Sequence, residues 1–133
     1  MGVTYKTRCA KCGYNKEFKL GVGFFGLEVP ERAERDILSG RLGGEIKKFY
    51  SACKSPRVLA GRAVYRCPYC GDLQNIPEII VQDEDGAEYL HEYLCTKCRK
   101  AKLVKIGAGD EFPDLPCPKC GEKLKVVDTE AWD

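Results

Sequence analysis

Apolar and polar positions change period along this chain, and the changes mark out its elements. Val3 to Arg8 reads as a short strand, and Glu17 to Phe25 as a second, loosened by Gly21, Gly23 and Gly26. Phe24 and Phe25 are expected in the core. From Pro30 the period lengthens. A proline at the first helical position, with Glu31 and Glu34 at the positive end, predicts a helix to about Ser39, stopped by Gly40. A second helix is predicted from Glu45, because Ile46, Phe49, Tyr50 and Cys53 recur at i, i+3, i+4 and i+7; Pro56 ends it. Strands then return: Arg62 to Arg66, Ile79 to Gln82, Glu88 to Leu94, Ala101 to Ile106 and Lys123 to Val127. Asp85-Gly86 predicts a hairpin turn, and Gly107 to Pro116 a loop.

Composition narrows the class. The chain has 133 residues, 44% hydrophobic and 32% charged, which suits one folded domain or two small ones. No apolar run approaches the roughly 20 residues of a membrane span. Met1 to Lys16 lacks the apolar stretch of a secretory signal. Lys6 stands where a myristoylation motif wants Ser or Thr. A cytoplasmic protein without a membrane partner is expected. The net charge of +2 hides segregation: residues 45–66 carry six Lys or Arg against Glu45, and residues 93–109 carry five with no acid. Residues 67–92 carry seven acids and no Lys or Arg. Either these charges are solvated and mixed on the surface, or the two basic segments form a face for phosphate or an acidic partner.

Nine cysteines change the picture most. Eight form four C-x-x-C pairs: Cys9/Cys12, Cys67/Cys70, Cys95/Cys98 and Cys117/Cys120. They sit in Cys-Ala-Lys-Cys-Gly, Cys-Pro-Tyr-Cys-Gly, Cys-Thr-Lys-Cys-Arg and Cys-Pro-Lys-Cys-Gly. Two intervening residues let the backbone turn both sulfurs toward one point, and a following glycine accepts positive φ without a Cβ clash. Arg99 breaks that pattern, so the third knuckle is expected to turn under strain. Such regular spacing points to metal rather than disulfides. Two knuckles make one tetrahedral four-thiolate site, so the eight cysteines predict two zinc ions per chain. Arg8, Lys11, Arg66, Lys97, Arg99 and Lys119 stand beside the ligands and would offset the charge of each cage. Cys53, the odd cysteine, is expected as a buried structural thiol.

The fold class that follows is small, metal-bound and β-rich, with two zinc-ribbon-like four-cysteine sites and a helical insertion at about 30–55. Eighteen residues separate Cys98 from Cys117, inside the zinc-ribbon window. This favours Cys95/Cys98 with Cys117/Cys120, and Cys9/Cys12 with Cys67/Cys70. The corresponding domains are residues 1–82, a ribbon carrying the insertion, and residues 83–133, a second ribbon. The alternative joins Cys67/Cys70 to Cys95/Cys98 across 24 residues and leaves Cys9/Cys12 to meet Cys117/Cys120, stapling the ends together.

Several resemblances attach to these residues. A knuckle, Gly21-Val22-Gly23-Phe24, Ser39-Gly40-Arg41-Leu42-Gly43, three more knuckles and Trp132-Asp133 together resemble a group of small bacterial zinc-ribbon proteins. That resemblance implies metal binding and the long insertion, and no activity. Residues 67–98, with Asp83-Glu84-Asp85 at a hairpin tip, resemble the zinc ribbon of transcript-cleavage elongation factors. The resemblance implies an acidic hairpin that helps hold a metal in a polymerase, although the family's Arg-Ser-Ala lead-in is missing here. Cys-Ala-Lys-Cys-Gly-Tyr and Cys-Pro-Tyr-Cys-Gly resemble the knuckles of rubredoxin, which would imply iron and electron transfer, across a separation much larger than that family's.

No catalytic constellation stands out. His91 is the sole histidine and is expected on a strand surface between Tyr89 and Tyr93, so hydrolytic zinc or a Ser-His-Asp triad has little to work with. Gly21-x-Gly23-x-x-Gly26 has dinucleotide-binding spacing but no βαβ context. Trp132 is expected to pack at the C-terminus. The expectation is a non-enzymatic, zinc-stabilised module that binds protein or nucleic acid, its oligomeric state open. The alternatives are a rubredoxin-like iron electron carrier and a thiol redox switch or zinc donor.

Overall fold

The computed structural model describes residues 2–21, 29–108, 112 and 114–132. Its elements run β1 (Gly2–Arg8), β2 (Asn15–Gly21), α1 (Pro30–Leu38), α2 (Gly44–Ala52), β3 (Arg57–Arg66), β4 (Leu73–Gln82), β5 (Glu88–Leu90), β6 (Val104–Ala108) and β7 (Lys125–Trp132). One sheet joins the strands in the order β5-β4-β3-β2-β1-β7, with β6 also paired to β3. Gly23, Phe24, Phe25 and Gly26 lie outside the described residues, as does the side chain of Trp132.

The sheet contains one topology twice, one copy inside the other. In the outer copy β1 turns through the first knuckle into β2, and β7, which follows the last knuckle, pairs antiparallel with β1. In the inner copy β3 turns through the second knuckle into β4, and β6, which follows the third knuckle, pairs antiparallel with β3. The match extends to irregularities. Register slips between Lys6 and Thr7 in β1 and between Val64 and Tyr65 in β3, each time just ahead of the first cysteine. Isolated bridges Pro116↔Lys123 and Leu94↔Lys102 flank the late knuckle of each copy. The Leu124 N–H donates to Leu115 O and the Leu103 N–H to Tyr93 O, each at 2.8 Å.

The copies meet where Gly21 pairs with Arg62, the one register position joining β2 to β3 among the described residues. Side chains extend this short seam. The Asn75 amide acts as a stand-in for a strand: its Oδ1 accepts from the Lys19 N–H at 2.6 Å, and its Nδ2 donates to Lys19 O at 2.8 Å and Ala63 O at 2.9 Å. Lys16 Nζ donates to Leu73 O at 2.7 Å. Phe18 and Leu20 of β2 share a buried cluster with Val64, Leu73, Leu115 and Leu124, so one core serves both copies.

The helices cover the far ends of β3 and β4. Ala33, Ile37 and Ile46 are buried against Val58, Ala60, Ile79 and Val81, with Phe49, Tyr50 and Cys53 packed around them. This is the apolar face expected from the helical spacing. The strands beneath are longer than expected. β3 starts at Arg57, ahead of Gly61, and β4 includes Pro77. Proline is tolerated there because β5 pairs only with residues 80–82, so the missing N–H falls on an open edge. Its outward carbonyl accepts from the Tyr93 hydroxyl. Each of the two long strands thus carries helices at one end and a knuckle at the other. No helix among the described residues is long and apolar enough to cross a membrane.

Candidate metal centres

Strand pairing decides which knuckles meet. Because β7 lies beside β1, Cys117 and Cys120 arrive at the end of the sheet that holds Cys9 and Cys12. Because β6 lies beside β3, Cys95 and Cys98 arrive at Cys67 and Cys70. The structure therefore forms two groups, Cys9, Cys12, Cys117, Cys120 and Cys67, Cys70, Cys95, Cys98, with the sulfurs of each group within 4.8 Å of one another. This corrects the favoured pairing of Cys9/Cys12 with Cys67/Cys70 and of Cys95/Cys98 with Cys117/Cys120. The 18-residue window counts residues and is blind to strand partners. Each group also draws ligands from both sides of the 82/83 boundary drawn from that pairing.

The sulfur geometry suits a tetrahedral ion. Four thiolates at about 2.3 Å from one centre stand about 3.8 Å apart. Here Cys9 Sγ lies 3.4 Å from Cys120 Sγ and Cys12 Sγ 3.5 Å from Cys117 Sγ. Cys67 and Cys98 are 3.6 Å apart, and Cys70 and Cys95 3.7 Å. These separations are far beyond a disulfide bond, and all nine cysteines are free thiols.

Backbone geometry holds the sulfurs in place. In three knuckles the first cysteine donates its N–H to the carbonyl five residues on: Cys9 to Tyr14, Cys67 to Asp72 and Cys117 to Glu122. The residue after the second cysteine is left-handed, with φ 78° at Gly13, 78° at Gly71 and 82° at Gly121. In the third knuckle Arg99 takes that place at φ 57°, the strained turn expected there, and the loop closes one residue later, from Cys95 N–H to Ala101 O. Turn N–H groups point at the first sulfur of a knuckle: Cys70 N to Cys67 Sγ at 3.3 Å, Cys98 N to Cys95 Sγ at 3.5 Å and Lys119 N to Cys117 Sγ at 3.4 Å.

These donors divide the thiols electrostatically. The Cys12 N–H is the main influence that holds the Cys9 thiol down to about 6, and the Cys98 N–H does the same for Cys95, also about 6. The Cys70 N–H lowers Cys67. Burial opposes ionisation at Cys117, but the N–H groups of Cys120 and Lys119 outweigh it. At Cys70 the Asp72 N–H favours the thiolate, yet burial and the facing sulfurs push it up to about 12. At Cys120 the Glu122 N–H is likewise outweighed, by Cys9, burial and the other sulfurs, and the thiol rises to about 12. In each group the leading cysteines are thus the ones shifted toward the thiolate.

Other polar groups complete the surroundings. Gln74, which carries no motif to mark it, donates from Nε2 to Cys95 Sγ at 3.5 Å and to Asp72 Oδ2 at 3.1 Å. Arg66 folds back over its knuckle, with Nη2 3.7 Å from where a Cβ on Gly71 would stand. Lys11 reaches Glu122 at 3.9 Å, and Lys119 lies 6.0 Å from the Tyr14 ring centroid. Cys53 belongs to neither group; half-buried, it packs under the helices, and burial raises its pKa ahead of the charge of Asp83. His91 follows β5 rather than lying on a strand surface. It is half-buried edge-on against Tyr93, centroids 4.6 Å apart. At the acidic hairpin tip, Asp83 Oδ1 accepts from the N–H groups of Glu84 at 2.6 Å and Lys54 at 3.3 Å, so this carboxylate is turned inward to the loop.

No protein-family model matches the chain, and neither a curated protein nor a solved structure gives a significant match.

Proposed function

We propose that the chain is a zinc-stabilised interaction module: one zinc ion in each four-cysteine group locks a ribbon, and the locked surface binds protein or nucleic acid without catalysis. The observation that carries this reading is the convergence of eight thiols into two groups with tetrahedral spacing. Four thiolates satisfy a zinc ion and leave no coordination position for substrate, which is the arrangement of structural sites. The metal would supply folding energy and little else, and its entry would displace the protons still held by Cys70 and Cys120. A half-buried histidine packed against a tyrosine ring supports the non-enzymatic reading, and nine free thiols support a reducing compartment.

Metal analysis tests this directly. Two zinc ions per chain in colourless protein is the expected result. Iron in red protein purified from its native host would replace the reading with an electron carrier. Cys117→Ser should reduce the zinc content to one and disorder the outer ribbon, while Cys53→Ser should leave it at two. Loss of an ion from Cys53→Ser would overturn the ligand assignment. The exposed Cys12 favours one further reading, a thiol switch at the outer site. Zinc released by mild peroxide within minutes, and recaptured after reduction, would support it; sites intact after hours would exclude it.

A further inference from the structure

The two ribbons share one topology and differ by one extra residue in the third knuckle, so each tip is a control for the other. The outer tip carries Lys11, Lys119 and Glu122, and Lys11 is ion-paired to Glu122. At the inner tip the position of Glu122 is held by Ala101, whose carbonyl takes the same hydrogen bond from Cys95 N–H. The position of Lys11 is held by Tyr69, and Arg99 and the extra Lys100 stand where the outer ribbon has Gly121 alone. Lys97, Arg99 and Lys100 are all exposed, and none is ion-paired to an acid among the described residues. If basic residues here only balanced the charge of the thiolates, two four-cysteine groups of the same formal charge would not need such different tips.

Two further features single out the inner tip. Tyr69 is 63% exposed, the most exposed aromatic among the described residues. Lys100 Nζ lies 4.9 Å from its ring centroid and donates to its hydroxyl at 3.2 Å, so a cation sits at the ring. Arg99 occupies left-handed backbone that three sister knuckles give to glycine. Strain of this kind persists where the side chain has a use. A rival basic group, Arg32, Arg35 and Arg41 in an open groove on the helical layer, encloses Asp36, which faces Arg41 at 4.0 Å, and has no aromatic side chain.

We infer that the inner tip binds single-stranded nucleic acid, with an unpaired base stacked on Tyr69 and the flanking phosphates held by Lys97, Arg99 and Lys100. Only an unpaired base offers its face to an exposed ring, whereas a duplex keeps its bases stacked on each other. This rests on the zinc-module reading and names its partner and its surface.

The test is fluorescence anisotropy of a fluorescein-labelled 12-nucleotide oligo-U with the full zinc-loaded chain, zinc being measured on every sample. Micromolar or tighter binding is expected, with a slope of log K against log salt of about −2, since three phosphates each contribute about 0.7. Tyr69→Ala should weaken binding at least about fivefold with little change in that slope. Lys97→Gln with Lys100→Gln should reduce the slope to about −0.7. Lys11→Gln, at the outer tip, should leave affinity within about twofold. Tyr69→Leu keeps bulk at the knuckle and answers the same question should Tyr69→Ala disturb it. The inference fails if protein holding two zinc ions does not bind, if Tyr69 variants bind like the parent, or if a duplex binds as well. Equal binding to poly-glutamate would likewise overturn it in favour of an acidic protein partner. Loss of zinc from the parent chain would instead remove the module reading itself.

Discussion

Arg99 occupies a backbone position that the other three knuckles assign to glycine. A non-glycine residue in left-handed conformation costs roughly 1–2 kcal/mol, partly offset by the chain entropy that glycine brings. Arg99→Gly should therefore stabilise the zinc-loaded protein by about 0.5–1 kcal/mol in urea unfolding, while weakening the oligonucleotide binding described above. A drop in stability would mean that the guanidinium supports the cage. His91 gives a second residue-level expectation. Burial holds its pKa below the ordinary value, against a smaller opposite push from Glu92. The neutral ring is favoured in the folded state, so its contribution is complete above about pH 6.5 and is lost as pH falls through the lower folded value. As the sole histidine, it gives an isolated NMR titration whose midpoint should lie below 6.5; a midpoint above it would contradict the packing against Tyr93. Much of this scale was legible in the chain. The eight cysteines that gather into two groups and the awkward place of Arg99 stand out from spacing alone. Gln74 did not, because a donor to a neighbouring sulfur is chosen by a fold contact and leaves no local pattern.

At the scale of elements, the first helix was readable from its end signals, Pro30 and Gly40, and the second from an apolar face at helical period that fixes both its type and its side of contact. The strands were only partly so. Residues 57–61 and 73–78 look unfavourable for β structure, with a glycine and a proline among them, and become strands because a long hairpin buries Val58, Ala60 and Leu73. Which strand pairs with which was hidden, since β1 finds its second partner at the opposite end of the sequence. The short seam between the ribbons is extended by one side chain that imitates backbone. Asn75→Ala removes three hydrogen bonds at once, in a partly solvated place where water can replace some of them. The expected cost is about 1–2 kcal/mol, read as a lower unfolding midpoint together with faster hydrogen exchange at Lys19. Unchanged exchange at Lys19 would show that the shared core alone holds the ribbons together.

For the whole molecule, nesting makes a prediction about pieces. Residues 29–108 contain both helices, β3 to β6 and all four inner ligands, so this fragment should bind one zinc ion and retain ordered structure by circular dichroism. The two halves 1–82 and 83–133 each split both cages and should bind zinc weakly or not at all. A tightly held ion in the 1–82 half would revive the rejected pairing. Nesting also fixes an order of events at the ribosome. The inner ligand set is complete once Cys98 has emerged, whereas Cys12 must wait for Cys117, 105 positions later. At synthesis rates of about 5–20 residues per second, that delay lasts roughly 5–20 s. Cys9 and Cys12, made before the inner four, are thus shielded after them, and if zinc fills both groups, a cell short of zinc or under peroxide stress would leave the nascent chain exposed longest at these two thiols.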